Sequence, residues 1–230
     1  MTFTGDIGPR VISDGLILCM DTVSPKCREE NDFMELVSKK GMNSSGDAPT
    51  DVLKDGTQTV RITNSGGKYY SHSELFDSII DNEALTIEAL VNFEEAGGIG
   101  GFVGYNPYWP YSARCVESNG VCLPHFRYQD NAGNWQVSNS NAASFPKNTW
   151  THVCLTYDGV NAKTYINSEL KYTKALNPTG NTSIGSFHVG KTGWTGPDGN
   201  YAFIRLYNKA LSQQEVSHNY NVAKRTRGVL

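Results

Sequence analysis

Apolar and polar positions alternate with a period of two along much of the chain, which predicts strands, because successive strand side chains point to opposite faces. The clearest stretch is ALTIEALVNF at 84–93, where Leu85, Ile87, Ala89 and Val91 share one face. Glu and Ala also favour helix, but Gly97-Gly98 and Gly100-Gly101 follow closely and fit a strand between turns better. Further strands are predicted in VISDGLILCM at 11–20, entered through Asp14-Gly15, in TVRITN at 59–64 and in GGFVGY at 100–105. HFRYQD and WQVSNS flank Asn131-Ala132-Gly133-Asn134 as a hairpin. NTWTHVCLTYDG at 148–159 closes in an Asp158-Gly159 turn and is answered by AKTYINS. SFHVGK and NYAFIRLYN supply two more strands. Residues 22–56 are polar and broken by Pro25 and Pro49, so they read as irregular loops, and 106–147 carry further irregular loops.

Only the end of the chain has a helical pattern, at about 212–223. Ser212 and Glu215 form an S-x-x-E capping box, Leu211 and Val216 are spaced for a hydrophobic staple, and Val216, Tyr220 and Ala223 continue on one face. The basic residues Lys224, Arg225 and Arg227 beyond it read as a solvated tail. About a dozen strands and one short helix in 230 residues, with neither a repeat nor a linker, give an all-β antiparallel sandwich in a single domain, 1–230.

Composition narrows the partners. Charged residues are 19% of the chain, below the ~25% of average globular proteins, while 23 glycines suit tight turns between short strands. A formal net charge of -3 gives no general attraction to nucleic acid or to an anionic membrane. No apolar run approaches a membrane span, and MTFTGDIGPR lacks a signal-peptide core, so cytosolic synthesis is expected. Cys19, Cys27, Cys115, Cys122 and Cys154 show no zinc-ligand spacing, and no cofactor or metal is expected. Cys19 and Cys154 read as core, whereas Cys115 and Cys122 flank the Ser118-Asn119-Gly120 turn and are either buried thiols or a hairpin disulfide.

Two stretches carry a family pattern. At 148–167 a Trp-x-His-Val strand leads through Tyr-Asp-Gly into a Tyr-Ile-Asn partner, and at 199–220 an Arg-x-Tyr-Asn-x-Ala-Leu-Ser strand runs into a helix. With TIEALVNF they resemble the laminin-G-like, concanavalin-A-like domains over roughly 84–220, which implies a two-sheet jelly roll. DGLILCMDTVSPK and NYNVAKRTRGVL are similar to such domains in structural proteins of tailed, notably marine, bacteriophages. That resemblance implies a virion protein for capsid decoration, spike or fibre, whose partners are other virion proteins, a further copy of itself, or a host-surface polysaccharide. Many relatives have an acidic residue where this chain has Ala202, and paired aspartates that TVRITN lacks, so calcium binding is not expected. Asp158 reads as a turn residue.

Catalysis is not expected either. Glycosidases need two carboxylates in step on a strand face, and no Glu-x-Asp-x-x-Glu run occurs; Glu88 stands alone in its strand. His152 and His188 read as satisfied sheet residues, and GGIGG at 97–101 precedes no helix. The candidate binding residues are aromatic: Tyr105, Tyr108, Trp109 and Tyr111, in a segment stiffened by Pro107 and Pro110, with Trp135 and Trp194 in other loops. Such residues make a platform for a sugar ring, an interface hot spot, or a cap folded over one end of the sandwich. A secreted carbohydrate-binding module or a glycosidase-related sandwich is the alternative function.

Overall fold

The segment with the clearest alternation becomes the centre of the architecture, a strand buried on both faces. The computed structural model describes residues 11–24, 28–29, 32–34, 41–45, 50–63, 69–72, 84–95, 101–106, 112–130, 132, 134–138, 140–176, 186–192 and 196–230. In chain order the first strands are β1 (Leu16–Asp21), β2 (Arg28–Glu29), β3 (Asp32–Met34), β4 (Gly41–Ser45), β5 (Thr50–Lys54), β6 (Thr57–Ile62) and β7 (Tyr69–His72). Then come β8 (Leu85–Glu95), β9 (Gly101–Asn106), β10 (Ser112–Ser118), β11 (Val121–Gln129), β12 (Trp135–Val137) and β13 (Phe145–Pro146). The last are β14 (Thr151–Tyr157), β15 (Asn161–Ile166), β16 (Glu169–Ala175), β17 (Ser186–Thr192) and β18 (Asp198–Tyr207), followed by helix α1 (Gln213–Arg227).

They pair into two antiparallel sheets. One is eight-stranded, in the order β16-β15-β14-β8-β18-β6-β5, with β1 also on β18; the other is ten-stranded, in the order β12-β11-β10-β9-β17-β7-β4-β3-β2, with β13 on β11. Between them lies the main core, where Leu85, Ile87, Ala89, Val91 and Phe93 of β8 meet Phe102, Val103, Ala113, Phe126, Phe187 and Val189 from the facing sheet. Each such large apolar side chain contributes ~1.5–3 kcal/mol by leaving water. Gly190 makes room for this packing: at φ 93 it sits in the irregular step of β17, and a Cβ there would lie 2.6 Å from Ile62 Cδ1.

One long strand serves two neighbours on a single edge. β18 pairs with β6 through Gly199–Tyr201 and with β1 from Phe203 onwards. Thr22 sits at that change of partner, its hydroxyl bonding Gln58 O at 2.5 Å and Ala202 O at 2.8 Å.

The outer face of the eight-stranded sheet is covered as well. Helix α1 lays Val216, Val222 and Ala223 on it. There Leu90, Trp150, Ala202, Phe203 and Ala223 form one apolar cluster, and Cys154, Tyr165, Tyr207, Leu211 and Val216 form another. The capping box is present: Glu215 N donates to Ser212 Oγ and Ser212 N to Glu215 Oε2 at 2.8 Å. Leu211 packs in the same cluster as Val216, as a staple requires. The helix runs one turn beyond the expected end and stops at Gly228, whose φ of 66 fits a left-handed cap.

Three expectations are corrected. Residues 22–56 are not irregular throughout, since they contain β2 to β5; these short strands lie at or near sheet edges, where main-chain pairing suffices and alternation need not show. Within 106–147, β10 to β13 form a paired block. The basic tail is not wholly solvated: Arg227 is buried, ion-paired to Asp21, and its carbonyl accepts from Thr57 Oγ1 at 2.9 Å. Cys19, Cys115, Cys122 and Cys154 are buried free thiols, and Cys27 lies outside the described residues.

The capping geometry sets a first expected outcome. Ser212→Ala should lower unfolding free energy by about 1 kcal/mol in urea denaturation, because it orphans the first-turn amides; no loss would mean the cap does not hold the helix.

Candidate binding face and the buried Glu88 cluster

Two polar groupings stand out on the sheets, one sealed and one partly open. The sealed one centres on Glu88, on the outer face of β8 beneath α1. Its Oε1 lies 2.8 Å from His152 Nε2, while Oε2 receives Arg205 at 3.2 Å, Tyr207 OH at 3.3 Å and Asn219 Nδ2 at 3.0 Å. Asn219 spans the network, for its Oδ1 accepts Ile12 N at 2.9 Å. Register builds the site: Cys154, Glu88, Arg205 and Cys19 stand opposite one another across β14, β8, β18 and β1. Burial pushes the Glu88 carboxyl up, but the charge of Arg205 and the contact with His152 outweigh it, so the group sits below the ordinary 4.5. Burial would lower Arg205, yet the Glu88 charge beside it raises it.

The side chains of Glu88 and His152 are wholly buried, so this cluster is closed to a polymer and fixes the helix to the sheet. The partners that Glu88 meets in this cluster are donors from β14, β18 and α1. His152 is a buried sheet residue of β14, but it is only half satisfied: its Nε2 meets Glu88, while its Nδ1 has no hydrogen-bond partner among the described residues.

The partly open grouping is on the outer face of the ten-stranded sheet. Ser71, His188, Gly104, Ser112, Arg127 and Val137 follow one another across β7, β17, β9, β10, β11 and β12. In the next row Arg114 stands opposite His125. Tyr69 packs its ring on His188 with centroids 4.6 Å apart. Gly104 brings no side chain to this row, and it is buried, as are its neighbours His188 and Ser112.

Trp135 occupies β12, not a loop, and its position is fixed by the hairpin before it. Asp130 Oδ1 accepts Ala132 N at 3.0 Å and Asn134 N at 2.9 Å, and Oδ2 accepts Gln136 Nε2 at 2.9 Å. Lys174 Nζ then ties Val137 O at 2.8 Å, binding this edge to the other sheet. Trp135 remains 39% exposed, and the Arg127 guanidinium lies over its ring at 4.1 Å. Behind the pair the face is closed: Ser112, Arg114, His125 and His188 are buried. Burial, and then the charges of Arg114 and Arg127, hold His125 down to about 4, and its Nδ1 bonds Leu123 O at 3.1 Å. Burial and the charge of Arg127 likewise push Arg114 down to about 10.

Of the other aromatic candidates, Tyr105 has its backbone in β9 opposite Phe187. Its side chain, with Tyr108, Trp109, Tyr111 and Trp194, lies outside the described residues. Arg114 and Arg127 were missed by the sequence reading. Their one signal is that Arg114, His125 and Arg127 fall at alternate positions between core residues, the polar face of strands that are otherwise buried. Asp158 is a turn residue, its Oδ1 accepting Val160 N at 3.0 Å and Asn161 N at 2.7 Å. Among the described residues no three His, Cys, Asp or Glu side chains gather as a metal site, and no helix is long and apolar enough to cross a membrane.

Two antiparallel sheets packed face to face, one of them sealed outside by a terminal helix, define a jelly-roll sandwich. Residues 55–217 match the Concanavalin A-like lectin/glucanases superfamily (Laminin_G_3), and the chain belongs to that family. No curated protein matches the sequence. Among solved structures, domain 4 of AbnA, a GH43 extracellular arabinanase from Geobacillus stearothermophilus in complex with arabinotriose, superposes with a TM-score of 0.66 at 17% identity, covering 89% of this chain and 98% of that one. The binding domain of Paraclostridial Mosquitocidal Protein 1 gives 0.63 at 18%, covering 90% of this chain and 52% of the other. The botulinum neurotoxin serotype D ligand binding domain in complex with N-acetylneuraminic acid gives 0.64 at 15%, with 90% and 51% covered. The chain thus spans about half the length of the two toxin structures, and at these identities the likeness is one of fold.

Two acid transitions follow from the shifted groups. His125 takes up a proton near 6.5 when unfolded but only at about 4 when folded. Stability present above pH 6.5 is therefore lost as pH falls towards 4, and His125→Gln should flatten that limb in a series of melting curves. The Glu88 carboxyl lies below 4.5 when folded, so its contribution is full above that value and fades as pH falls through the lower, folded one. Glu88→Gln should remove this second limb and cost about 3–5 kcal/mol at pH 7, because it leaves Arg205 buried without its counter-charge. A loss under about 1 kcal/mol would mean the cluster does not anchor α1.

Proposed function

We propose that the chain is a non-catalytic domain that contacts a surface glycan through the outer face of the ten-stranded sheet. The observation that carries this reading is Trp135, an exposed ring held by a fastened hairpin and backed by Arg127. A flat apolar surface with polar groups at its margin is what a sugar ring needs. Tyr105, Tyr108, Trp109 and Tyr111, which crowd together in sequence, and Trp194 are proposed as further ligand contacts. The bound arabinotriose and N-acetylneuraminic acid of two structures with this fold support a glycan as ligand. The non-catalytic reading is supported by Glu88, the carboxylate at the middle of β8, being enclosed and committed to Arg205 and Asn219.

The resemblance of 14–26 and 219–230 to phage domains supports a setting in a virion, as a decoration, spike or fibre component beside other virion proteins or copies of itself. The fold likeness to a domain of an extracellular arabinanase favours a second reading, a carbohydrate-binding module that accompanies an enzyme. Antibody labelling of particles from the source culture separates the two: label on capsid or tail supports the virion setting, and bare particles overturn it.

Trp135→Ala should lower affinity for a bound polysaccharide about tenfold, or ~1.4 kcal/mol, with an unchanged melting temperature. Unchanged affinity would remove Trp135 from the site. Release of reducing ends or of unsaturated sugar from any polymer would overturn the non-catalytic reading.

A further inference from the structure

The exposed ring of Trp135 is carried by an edge strand only three residues long. β12 ends the ten-stranded sheet and, among the described strands, pairs with β11 alone, through Arg127↔Val137, Tyr128↔Gln136 and Gln129↔Trp135. So short a strand specifies its own register weakly, and a slip by one residue would turn Trp135 to the opposite face. Asp130 supplies the missing constraint. Its Oδ1 accepts Ala132 N at 3.0 Å and Asn134 N at 2.9 Å, and its main-chain N–H donates to Asn134 O at 2.9 Å. Its Oδ2 accepts Gln136 Nε2 at 2.9 Å, from a residue that alternates with Trp135 along the strand. One carboxylate therefore grips the residue before the ring and the residue after it. A carboxylate offers about four lone-pair sites, and three of these are filled from its own hairpin. The Asn134 amide, ahead of the other donors, holds the carboxyl below its ordinary 3.8, so both oxygens accept at neutral pH.

Resting on the glycan reading, we infer that Asp130 is a positioning residue of the binding site, which fixes the register of β12 so that Trp135 presents one ring face to a sugar. The other face is taken, because the Arg127 guanidinium lies over it, 4.1 Å from the centroid. Beyond the ring the strand is fastened independently. Lys174 Nζ donates to Val137 O at 2.8 Å, Ser138 N to Phe126 O at 2.9 Å and Phe126 N to Ser138 Oγ at 2.9 Å. Loss of the Asp130 carboxylate therefore loosens the near end of β12, where the ring sits, and leaves the sheet folded. A sugar that stacks on a ring already held has no loose strand to order, and that saving is what the carboxylate contributes to affinity without touching the ligand.

The test measures affinity and ring order separately. Calorimetric titration of the full chain with an arabinan, a polyuronate, a sulfated galactan and a neutral β-glucan selects the polymer bound best, which then serves for every variant. Asp130→Ala should weaken its binding about threefold, less than the roughly tenfold expected of Trp135→Ala, at an unchanged melting temperature. Asp130→Asn, which keeps an acceptor for the two amides, should restore most of the affinity. In a Trp135→Ala background Asp130→Ala should cost nothing more, because the carboxylate acts only through the ring. Without ligand, the nitrogen-15 indole signal of Trp135 should be one sharp line in the parent chain, broadened or split in Asp130→Ala, and sharp again in Asp130→Asn. Should Asp130→Ala unfold the chain, Gln136→Ala keeps the test alive, since it removes only the Oδ2 bond and must also broaden that line. Full affinity with a sharp line in Asp130→Ala would overturn the positioning role and leave the glycan reading standing. An undiminished loss from Asp130→Ala when Trp135 is already absent would also overturn it, by making the carboxylate a ligand contact. Binding of none of the four polymers, or unchanged binding in Trp135→Ala, would overturn the glycan reading and this inference with it.

Discussion

A single buried charge organises one side of this molecule. Glu88 lies on a strand whose two faces are both withdrawn from water, so its carboxylate must be met by donors from every element packed around it. β14 supplies His152, β18 supplies Arg205 and Tyr207, and α1 supplies Asn219, whose other amide atom holds Ile12 at the start of the described chain. Removing any of these elements would leave a charge or a donor stranded, so the network specifies how the helix and the N-terminal segment seat on the sheet. Thr22 and Arg227 repeat the device at a smaller scale where β18 changes partner from β6 to β1.

Sealing that side has a consequence for function. A sandwich has two outer faces, and here the eight-stranded sheet spends its own on the helix. On the outer side of the ten-stranded sheet Ser112, Arg114, His125 and His188 are buried too, and the exposed large side chain among the described residues there is Trp135, on β12. Polar residues there are arranged by register rather than by proximity in sequence: Ser112, Arg114, His125, Arg127 and Trp135 come from three strands and meet because β11 pairs with β10 on one side and β12 on the other. At its β12 end the face presents the exposed Trp135 ring with the Arg127 guanidinium stacked over it.

How much of this the sequence discloses depends on range. β8, β14, β15, β18 and α1 could be placed from alternation, turn residues and the capping box, because each signal lies within one segment. The strands at 28–54 were hidden because edge pairing uses the main chain and asks little of side chains. Trp135 was legible as a candidate, but its stack on Arg127 was not, since it depends on a cross-strand register that no local pattern encodes. The Glu88 cluster was invisible for the same reason at longer range: Asn219 is 131 residues away, and a mixed polar and apolar outer face looks solvent-facing until a helix is known to cover it.

The central claim is that ligand meets the open face and leaves the sealed one undisturbed. Nitrogen-15 spectra of the chain titrated with a bound polysaccharide test it through the tryptophan indole signals. The account predicts that the Trp135 indole shifts, while that of Trp150, bonded to Asp55 at 3.1 Å on the helix side, stays in place. Shifts at Trp150 with Trp135 unmoved would contradict it and put the binding surface on the opposite sheet.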